Sequence, residues 1–128
     1  MKKYNIILPK ASCGSFGITE DFTEPYQSLD ERFIKNQAST FFFQAAGNSM
    51  EPLIFENDIL VVDRAKKVKN RQVAIVSLDG QLFCKRIYFQ GNNIILKSDN
   101  HRYKEQLIHP DRDFSVWGVV ISIVREMA

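Results

Sequence analysis

The chain of 128 residues is poor in the side chains that bind metals or form disulfides. It has two cysteines, Cys13 and Cys84, and two histidines, His101 and His109, with no Cys-x-x-Cys or His-x-x-x-His spacing. This pattern predicts no metal site and no bound cofactor. Two cysteines in a chain of this length also give no disulfide framework, so we expect a protein of the reducing cytoplasm.

Long apolar runs are missing as well. The run at residues 4–8 is interrupted by Asn5 and ended by Pro9, whereas a signal peptide needs about 7–15 apolar residues. The run at 116–124 is far shorter than the roughly 20 residues that span a bilayer. We therefore expect a soluble protein with neither a secretory leader nor a membrane anchor.

Charge of one sign is not in large excess. A net charge of +2 argues against a protein whose main activity is to bind nucleic acid through its phosphates. The basic run at residues 64–71 is interpreted as a solvated turn between two strands, with a DNA or partner surface as the alternative. The length and the 45% hydrophobic content are those of one domain that can bury its own core.

Turn-forming residues divide the chain into an arm and a strand-rich domain. Residues 1–27 have few periodic apolar positions and predict an extended arm. Ser28 and Glu31 have the spacing of a capping box, so a helix of one or two turns is predicted to follow and to end by Asn36. Residues 28–128 are predicted to form one domain.

The remaining apolar runs predict a mainly β fold, either a barrel or a folded sheet. Asp79-Gly80 is a hairpin signal, and residues 91–93 form another turn. The predicted strands are residues 41–45, 58–63, 72–77, 81–89, 94–97 and 116–124.

Lys85 interrupts an apolar strand face. Alternation places Lys85 on one face with Phe83, Ile87 and Phe89, and places Cys84 on the other. A lysine on an apolar face loses solvation, which lowers its pKa and can make it a general base. The alternative is that its ammonium reaches water from the strand edge. Cys84 is predicted to be a small buried apolar side chain.

Ser49 lies in a loop of small residues, Gly-Asn-Ser-Met-Glu-Pro at 47–52. A serine at such a bend can present its hydroxyl as a nucleophile while successive N–H groups bind an oxyanion. The alternative is a turn serine that bonds to its own backbone. Lys85 could supply the base that such a nucleophile needs, whereas His101 and His109 lie in polar or loop contexts.

Cys13 lies in the stretch Lys-Ala-Ser-Cys-Gly-Ser-Phe-Gly at residues 10–17, which is too poor in large apolar side chains to belong to a core. These residues alone leave several roles open for Cys13. It could be a lipid attachment site, half of a disulfide, a nucleophile, a metal ligand, or none of these.

Four blocks of the sequence resemble the LexA/UmuD family of self-cleaving proteins. Residues 47–52 resemble the family's Gly-x-Ser-Met motif, and 58–63 resemble the strand that follows it. Residues 79–86 resemble the strand with the catalytic lysine, and 116–121 match the last strand. The similarity covers nearly the whole chain and implies a folded β-sheet or barrel like those of LexA and signal peptidase.

Three positions depart from the family pattern. Asn48 precedes the serine where UmuD proteins often have an acid. Asn57 and Arg71 stand where the family commonly has the glycine of a Gly-Asp pair. We expect the last two departures to affect local turn geometry and to leave the serine and the lysine in place.

The resemblance implies which residues act and which bond is cut. Ser49 and Lys85 would form a catalytic Ser-Lys dyad, with the N–H groups of Asn48 and Ser49 as the oxyanion hole. The family cleaves itself between a small residue or cysteine and a glycine, and Cys13-Gly14 fits this site. Cys13 would then be part of the substrate, the alternative being an arm in which this cysteine has no role.

The arm favours the UmuD branch, because about a dozen residues precede the cleavage site and a helix-turn-helix domain needs more. That branch implies a homodimer and an SOS response in which a RecA–single-stranded-DNA filament activates cleavage. The shortened form would join a UmuC-like translesion DNA polymerase, without sequence-specific DNA binding of its own. The alternatives are a non-catalytic dimeric regulatory module of the polymerase and a LexA-like repressor fragment without a DNA-binding domain.

Overall fold

The structure is a computed structural model that describes residues 29–127. These residues fall into two units, one ending at Lys35 and the other beginning at Asn36. In the first unit, helix α1 (Leu29–Phe33) confirms the short helix predicted from the sequence. Ser28 lies outside the described residues, so its capping role and the domain boundary placed there stay predictions.

The described part of the second unit is a seven-stranded antiparallel sheet, which confirms the mainly β prediction. A 3-10 turn (Gln37–Ser39) precedes it. The strands are β1 (Thr40–Gln44), β2 (Ile59–Asp63), β3 (Val73–Leu78), β4 (Gln81–Gln90), β5 (Asn93–Lys97), β6 (Gln106–Ile108) and β7 (Phe114–Val124). In space they follow the order β1-β2-β7-β3-β4-β5-β6. Six strands agree with the predicted ranges to within two residues, and β6 was not predicted.

Strand β3 lies in the middle of the sheet and is buried on both faces. Val73 and Ile75 belong to one apolar cluster, and Ala74 and Val76 belong to another. The first cluster also contains Met50, Ile54, Leu60 and Val62, and the second also contains Leu78, Ile87, Leu96 and Ile108. The sheet therefore has a core on each face, and the first core includes the residue that follows Ser49.

Gly118 of β7 occupies a crowded place in the sheet. It pairs with Ile75 of β3, and the register between β3 and β7 shifts next to this pair. A Cβ atom on Gly118 would lie 2.6 Å from Val62 Cγ1 and 3.3 Å from the carbonyl oxygen of Asp63. The position has no room for a side chain.

Tight turns set the register of β3, β4 and β5. Asp79 and Gly80 connect β3 to β4 with φ values of 51° and 83°, and positive φ at both central residues is the type I′ hairpin geometry. The predicted hairpin is thus confirmed.

The basic run at 64–71 lies between β2 and β3, as predicted for a turn. No helix in the described residues is long and apolar enough to cross a membrane.

Asn57 and Arg71 both adopt left-handed backbone conformations, each with φ of 73°. These are the two positions where the related sequences are expected to have glycine, which adopts positive φ without strain. Asparagine tolerates this region better than other side chains, whereas arginine pays about 1–2 kcal/mol for it. The turn geometry is kept at both positions, and Arg71 bears the larger strain.

We expect Arg71→Gly to raise the free energy of unfolding by about 0.5–1 kcal/mol, since relief of the left-handed strain exceeds the added flexibility of the unfolded chain. The hydrogen bonds here use the backbone of Arg71, from its N–H to Ile87 O at 2.7 Å and from Arg86 to its carbonyl at 2.7 Å. Glycine keeps both. Urea unfolding measures the gain, and Arg71→Ala, which retains the strain, should show none. Equal stability of the two variants would contradict this account.

Candidate active site

Ser49 lies in the loop between β1 and β2, and the two ends of this loop are tied together. The Ala45 N–H donates to the Asp58 carbonyl at 2.8 Å, and the Asn57 N–H donates to the Ala45 carbonyl at 2.8 Å. Within the loop, the Ile54 N–H donates to the Met50 carbonyl at 2.9 Å, closing one helical turn. Met50 and Ile54 are buried in the first core cluster. The residue after Ser49 is therefore anchored, although Ser49 itself is half-buried.

An ion pair holds the far end of the same loop. The Asp58 carboxylate is buried and accepts hydrogen bonds from Arg125 Nε at 2.7 Å and from a second Arg125 nitrogen at 2.6 Å. It also accepts one from the Phe55 N–H at 2.8 Å. The hydrogen bonds from Arg125 lower the pKa of Asp58, so this carboxylate stays ionised and paired above its ordinary pKa of 3.8.

Ser49 and Lys85 line the same cavity, which has a volume of about 250 Å³. Lys85 lies on β4 opposite Ala74 of β3, and its side chain is half-buried. The rest of the lining is largely small or apolar and includes Gly47 and Cys84. The structure thus brings together the two residues that the sequence singled out as nucleophile and base.

Burial lowers the pKa of Lys85 below its ordinary value of 10.5. The opposing influence is the neighbouring Cys84, which raises it. Among the described residues, the hydrogen bond of Lys85 Nζ goes to Ser98 Oγ at 2.7 Å. A neutral lysine can accept a proton, so the shift is in the direction that a general base requires.

The connection between β5 and β6 contacts the β1–β2 loop that carries Ser49, which we call the serine loop (residues 45–58). The Asn100 N–H donates to the Ser49 carbonyl at 3.0 Å, and Asn100 Nδ2 donates to the Asn48 carbonyl at 3.0 Å. The Tyr103 hydroxyl donates to Asn48 Oδ1. Sequence reasoning missed these three contacts, because the stretch from Ser98 onward carries only a general polar signal. Asn100 and Tyr103 fix the backbone and side chain just before the serine hydroxyl.

The predicted oxyanion hole lies at this loop. Gly47 has φ of 78°, which turns the chain just before Asn48 and Ser49. Within the described residues, the N–H groups of Asn48 and Ser49 donate to no backbone carbonyl of this loop. They are thus available as donors, and their role stays a prediction.

Cys84 is the one cysteine within residues 29–127, and it lines the cavity that Ser49 and Lys85 share. Burial raises the pKa of its thiol to about 12. The negative charge of Asp99 adds to this shift. Cys84 packs against the first core cluster as a small apolar side chain, but it is half-buried where the sequence predicted a buried residue. At pH 8 such a thiol is ionised only about once in ten thousand molecules, so it makes a poor nucleophile.

We expect native Cys84 to react with iodoacetamide at pH 8 at least about a hundredfold more slowly than the urea-unfolded chain, because the thiolate is the reacting form. Intact-mass analysis of a Cys13→Ser variant follows Cys84 alone. The unfolded protein is the control. Equal rates in the native and unfolded states would contradict the burial of this thiol.

The sequence singled out four further residues, Cys13, Gly14, His101 and His109. Cys13 and Gly14 fall outside the described residues, so the cleavage site stays a prediction. His101 and His109 are exposed, and neither lines the cavity shared by Ser49 and Lys85. Residues 29–127 contain no cluster of three or more His, Cys, Asp or Glu side chains that could hold a metal ion.

Comparison with known proteins defines the class to which this domain belongs. A family model described as Peptidase S24-like matches residues 5–121, which is most of the chain. The chain belongs to this peptidase family, and the resemblance drawn from its motifs is confirmed.

A curated relative is the LexA repressor of Psychromonas ingrahamii, which is 25% identical over 123 residues. The matched region covers 93% of this chain and 57% of the repressor. The chain therefore spans a little more than half the length of this curated relative.

Proposed function

We propose that the protein is a self-cleaving serine peptidase in which Lys85 activates Ser49 to cut the Cys13–Gly14 bond. The observation that carries the proposal is the cavity that Ser49 shares with Lys85, whose pKa is lowered by burial. Membership of a peptidase family supports the reaction class. No metal or cofactor enters the proposed reaction.

The proposed reaction follows from the chemistry of the two side chains. Neutral Lys85 takes the proton of Ser49 Oγ as this oxygen attacks the Cys13 carbonyl carbon. The N–H groups of Asn48 and Ser49 stabilise the oxyanion. The Cys13–Gly14 bond then breaks, and the lysine returns the proton to the Gly14 amine. Water, deprotonated by the same lysine, releases the acyl group from Ser49.

The biological role that we infer is that of a UmuD-like accessory subunit of a translesion DNA polymerase. In this role the protein is a homodimer, and a RecA–single-stranded-DNA filament favours the arm conformation that reaches Ser49. The shortened chain, residues 14–128, joins a UmuC-like polymerase. The reaction happens once per molecule, so slow chemistry is sufficient.

A repressor function is the second candidate, because the curated relative is a LexA repressor. In that case this chain corresponds to 57% of such a protein, and self-cleavage would inactivate it. Binding to a duplex operator by the full-length protein favours the repressor. Binding to a purified polymerase by the cleaved form favours the accessory subunit.

Intact-mass spectrometry of the purified protein held at about pH 10 tests the proposed cleavage, because this pH is near the unperturbed pKa of lysine. We expect the wild type to yield a fragment that begins at Gly14. Ser49→Ala is expected to remain intact under the same conditions.

Two further outcomes decide between the proposed peptidase and a non-catalytic module. A wild type that stays intact at pH 10, and also in the presence of a RecA filament, contradicts the peptidase function. A fragment with the same N-terminus from Ser49→Ala points to a contaminating protease and likewise contradicts it.

A further inference from the structure

The β4–β5 hairpin places Ser98 opposite Lys85. The last pair of this ladder joins Arg86 to Lys97, so the next level of the hairpin brings Lys85 to Ser98. Lys85 Nζ donates to Ser98 Oγ at 2.7 Å. Both side chains are half-buried, so the contact is only partly screened by water.

The acceptor that Lys85 meets is neutral, although a carboxylate follows directly in the chain. Asp99 is bound by Arg86 through two hydrogen bonds, each of 2.9 Å. Its charge is thereby paired with that of Arg86, and Asp99 forms no ion pair with Lys85. A carboxylate bound to Lys85 would instead favour the protonated lysine.

The other groups around Lys85 are few. The Cys84 thiol precedes it on β4, and Lys85 Nζ lies 5.9 Å from the centre of the Tyr103 ring. Within the described residues, no acidic side chain forms an ion pair with Lys85. Ser98 therefore supplies the directional contact that orients the amine.

We propose that Ser98 is a positioning residue that orients the Lys85 amine toward Ser49 without holding it in the charged form. This inference rests on the proposed function. A neutral amine has two N–H bonds and one lone pair. With one N–H given to Ser98 Oγ, the lone pair is free to take the Ser49 proton, and the resulting ammonium later gives a proton to the Gly14 amine.

Three substitutions at residue 98 separate orientation from charge. Ser98→Ala removes the acceptor and is expected to lower the maximal self-cleavage rate at least about tenfold. Ser98→Thr keeps the hydroxyl and should restore the rate to within about threefold. Ser98→Asp places a carboxylate beside the Lys85 amine, which favours the ammonium form. It should therefore move the midpoint of the pH–rate profile up by about 1–3 pH units.

Ser115→Ala is the matched control, since Ser115 is an exposed serine on β7 and lines no part of the cavity. It should cleave like the wild type. Thermal unfolding of each variant verifies that the fold is kept. A Ser98→Ala protein with the wild-type maximal rate and midpoint overturns the proposal.

A second measurement reads the same contact without requiring cleavage. The 13Cε resonance of Lys85, assigned by comparison with Lys85→Arg, reports the titration of its amine in Ser49→Ala protein. We expect Ser98→Asp to raise the midpoint, because a carboxylate beside the amine stabilises the ammonium, and Ser98→Ala to change it far less, because the hydroxyl it removes is neutral. A midpoint that does not rise in Ser98→Asp, or one that falls in Ser98→Ala as far as it rises in Ser98→Asp, overturns the proposal. A wild type that never cleaves contradicts the proposed function instead.

Discussion

Lys85→Ala is expected to lower the self-cleavage rate at least about a thousandfold. General-base catalysis contributes a rate factor of about 10²–10⁴, and a serine nucleophile that has lost its base is scarcely activated. The wild-type rate should rise with pH, since the neutral amine is the active form. The midpoint of that rise should fall below 10.5, because burial lowers the pKa of Lys85. The rate of appearance of the Gly14 fragment, measured from pH 6 to pH 11, gives both quantities.

Lys85→Arg is the matched variant for charge. A guanidinium keeps the length and positive charge of the side chain but does not lose its proton in this pH range. We expect it to be as inactive as Lys85→Ala, which separates base catalysis from simple electrostatic attraction. Lys66→Ala removes an exposed lysine from the β2–β3 connection and should cleave normally. Activity in Lys85→Arg would contradict the general-base role.

Gly118→Ala is expected to destabilise the fold by about 1–3 kcal/mol, since an added methyl group in a packed core forces its neighbours apart. The new Cβ would lie 2.6 Å from Val62 Cγ1, and Val62 is completely buried. Urea unfolding measures the loss. Ser115→Ala, on an exposed position of the same strand, is the control and should change stability little.

A double variant tests the cause of that loss. Val62→Ala removes the methyl group that the new Cβ meets, so Gly118→Ala with Val62→Ala should lose less than the sum of the two single variants. The contact with the carbonyl oxygen of Asp63 at 3.3 Å remains in the double variant. Strict additivity would show that the Val62 contact is not the source of the destabilisation.

Most of the fold could be predicted from local sequence. The β-branched runs of β2 and β3 and the Asp79-Gly80 turn specify strands and a hairpin without any tertiary information. Strand β6 could not be predicted, because it is only three residues long and lies in a polar stretch. It forms because Ile108 joins the second core cluster beside β5.

The pair of site residues could be predicted, but the groups that support them could not. Lys85 breaks an apolar strand face and Ser49 lies in a loop of small residues, so each is visible in the sequence. The contact from Lys85 to Ser98 depends on the register of the β4–β5 hairpin. The sequence predicted the ranges of β4 and β5 to within one residue, but it did not predict which residues pair across the hairpin. A register shift of one residue would change every cross-strand partner.

The hydrogen bonds of Asn100 and Tyr103 to the serine loop join residues that are even farther apart in sequence. They join the β5–β6 connection to the β1–β2 loop, and no local spacing links two loops this far apart in sequence. Polar side chains in loops are common, so the composition of this stretch does not distinguish a structural contact from a solvated surface. Only the assembled sheet shows which of these residues meet.

Labelling of Ser49 by a fluorophosphonate tests the central claim most directly, because the reagent reacts with an activated serine and needs no docking of the cleavage site. Intact-mass and peptide analysis of full-length protein follow the adduct. The account predicts one adduct on Ser49 that forms faster as the pH rises and at least about tenfold more slowly in Lys85→Ala. A wild type that is not labelled at any pH, or equal labelling of the wild type and Lys85→Ala, would contradict it.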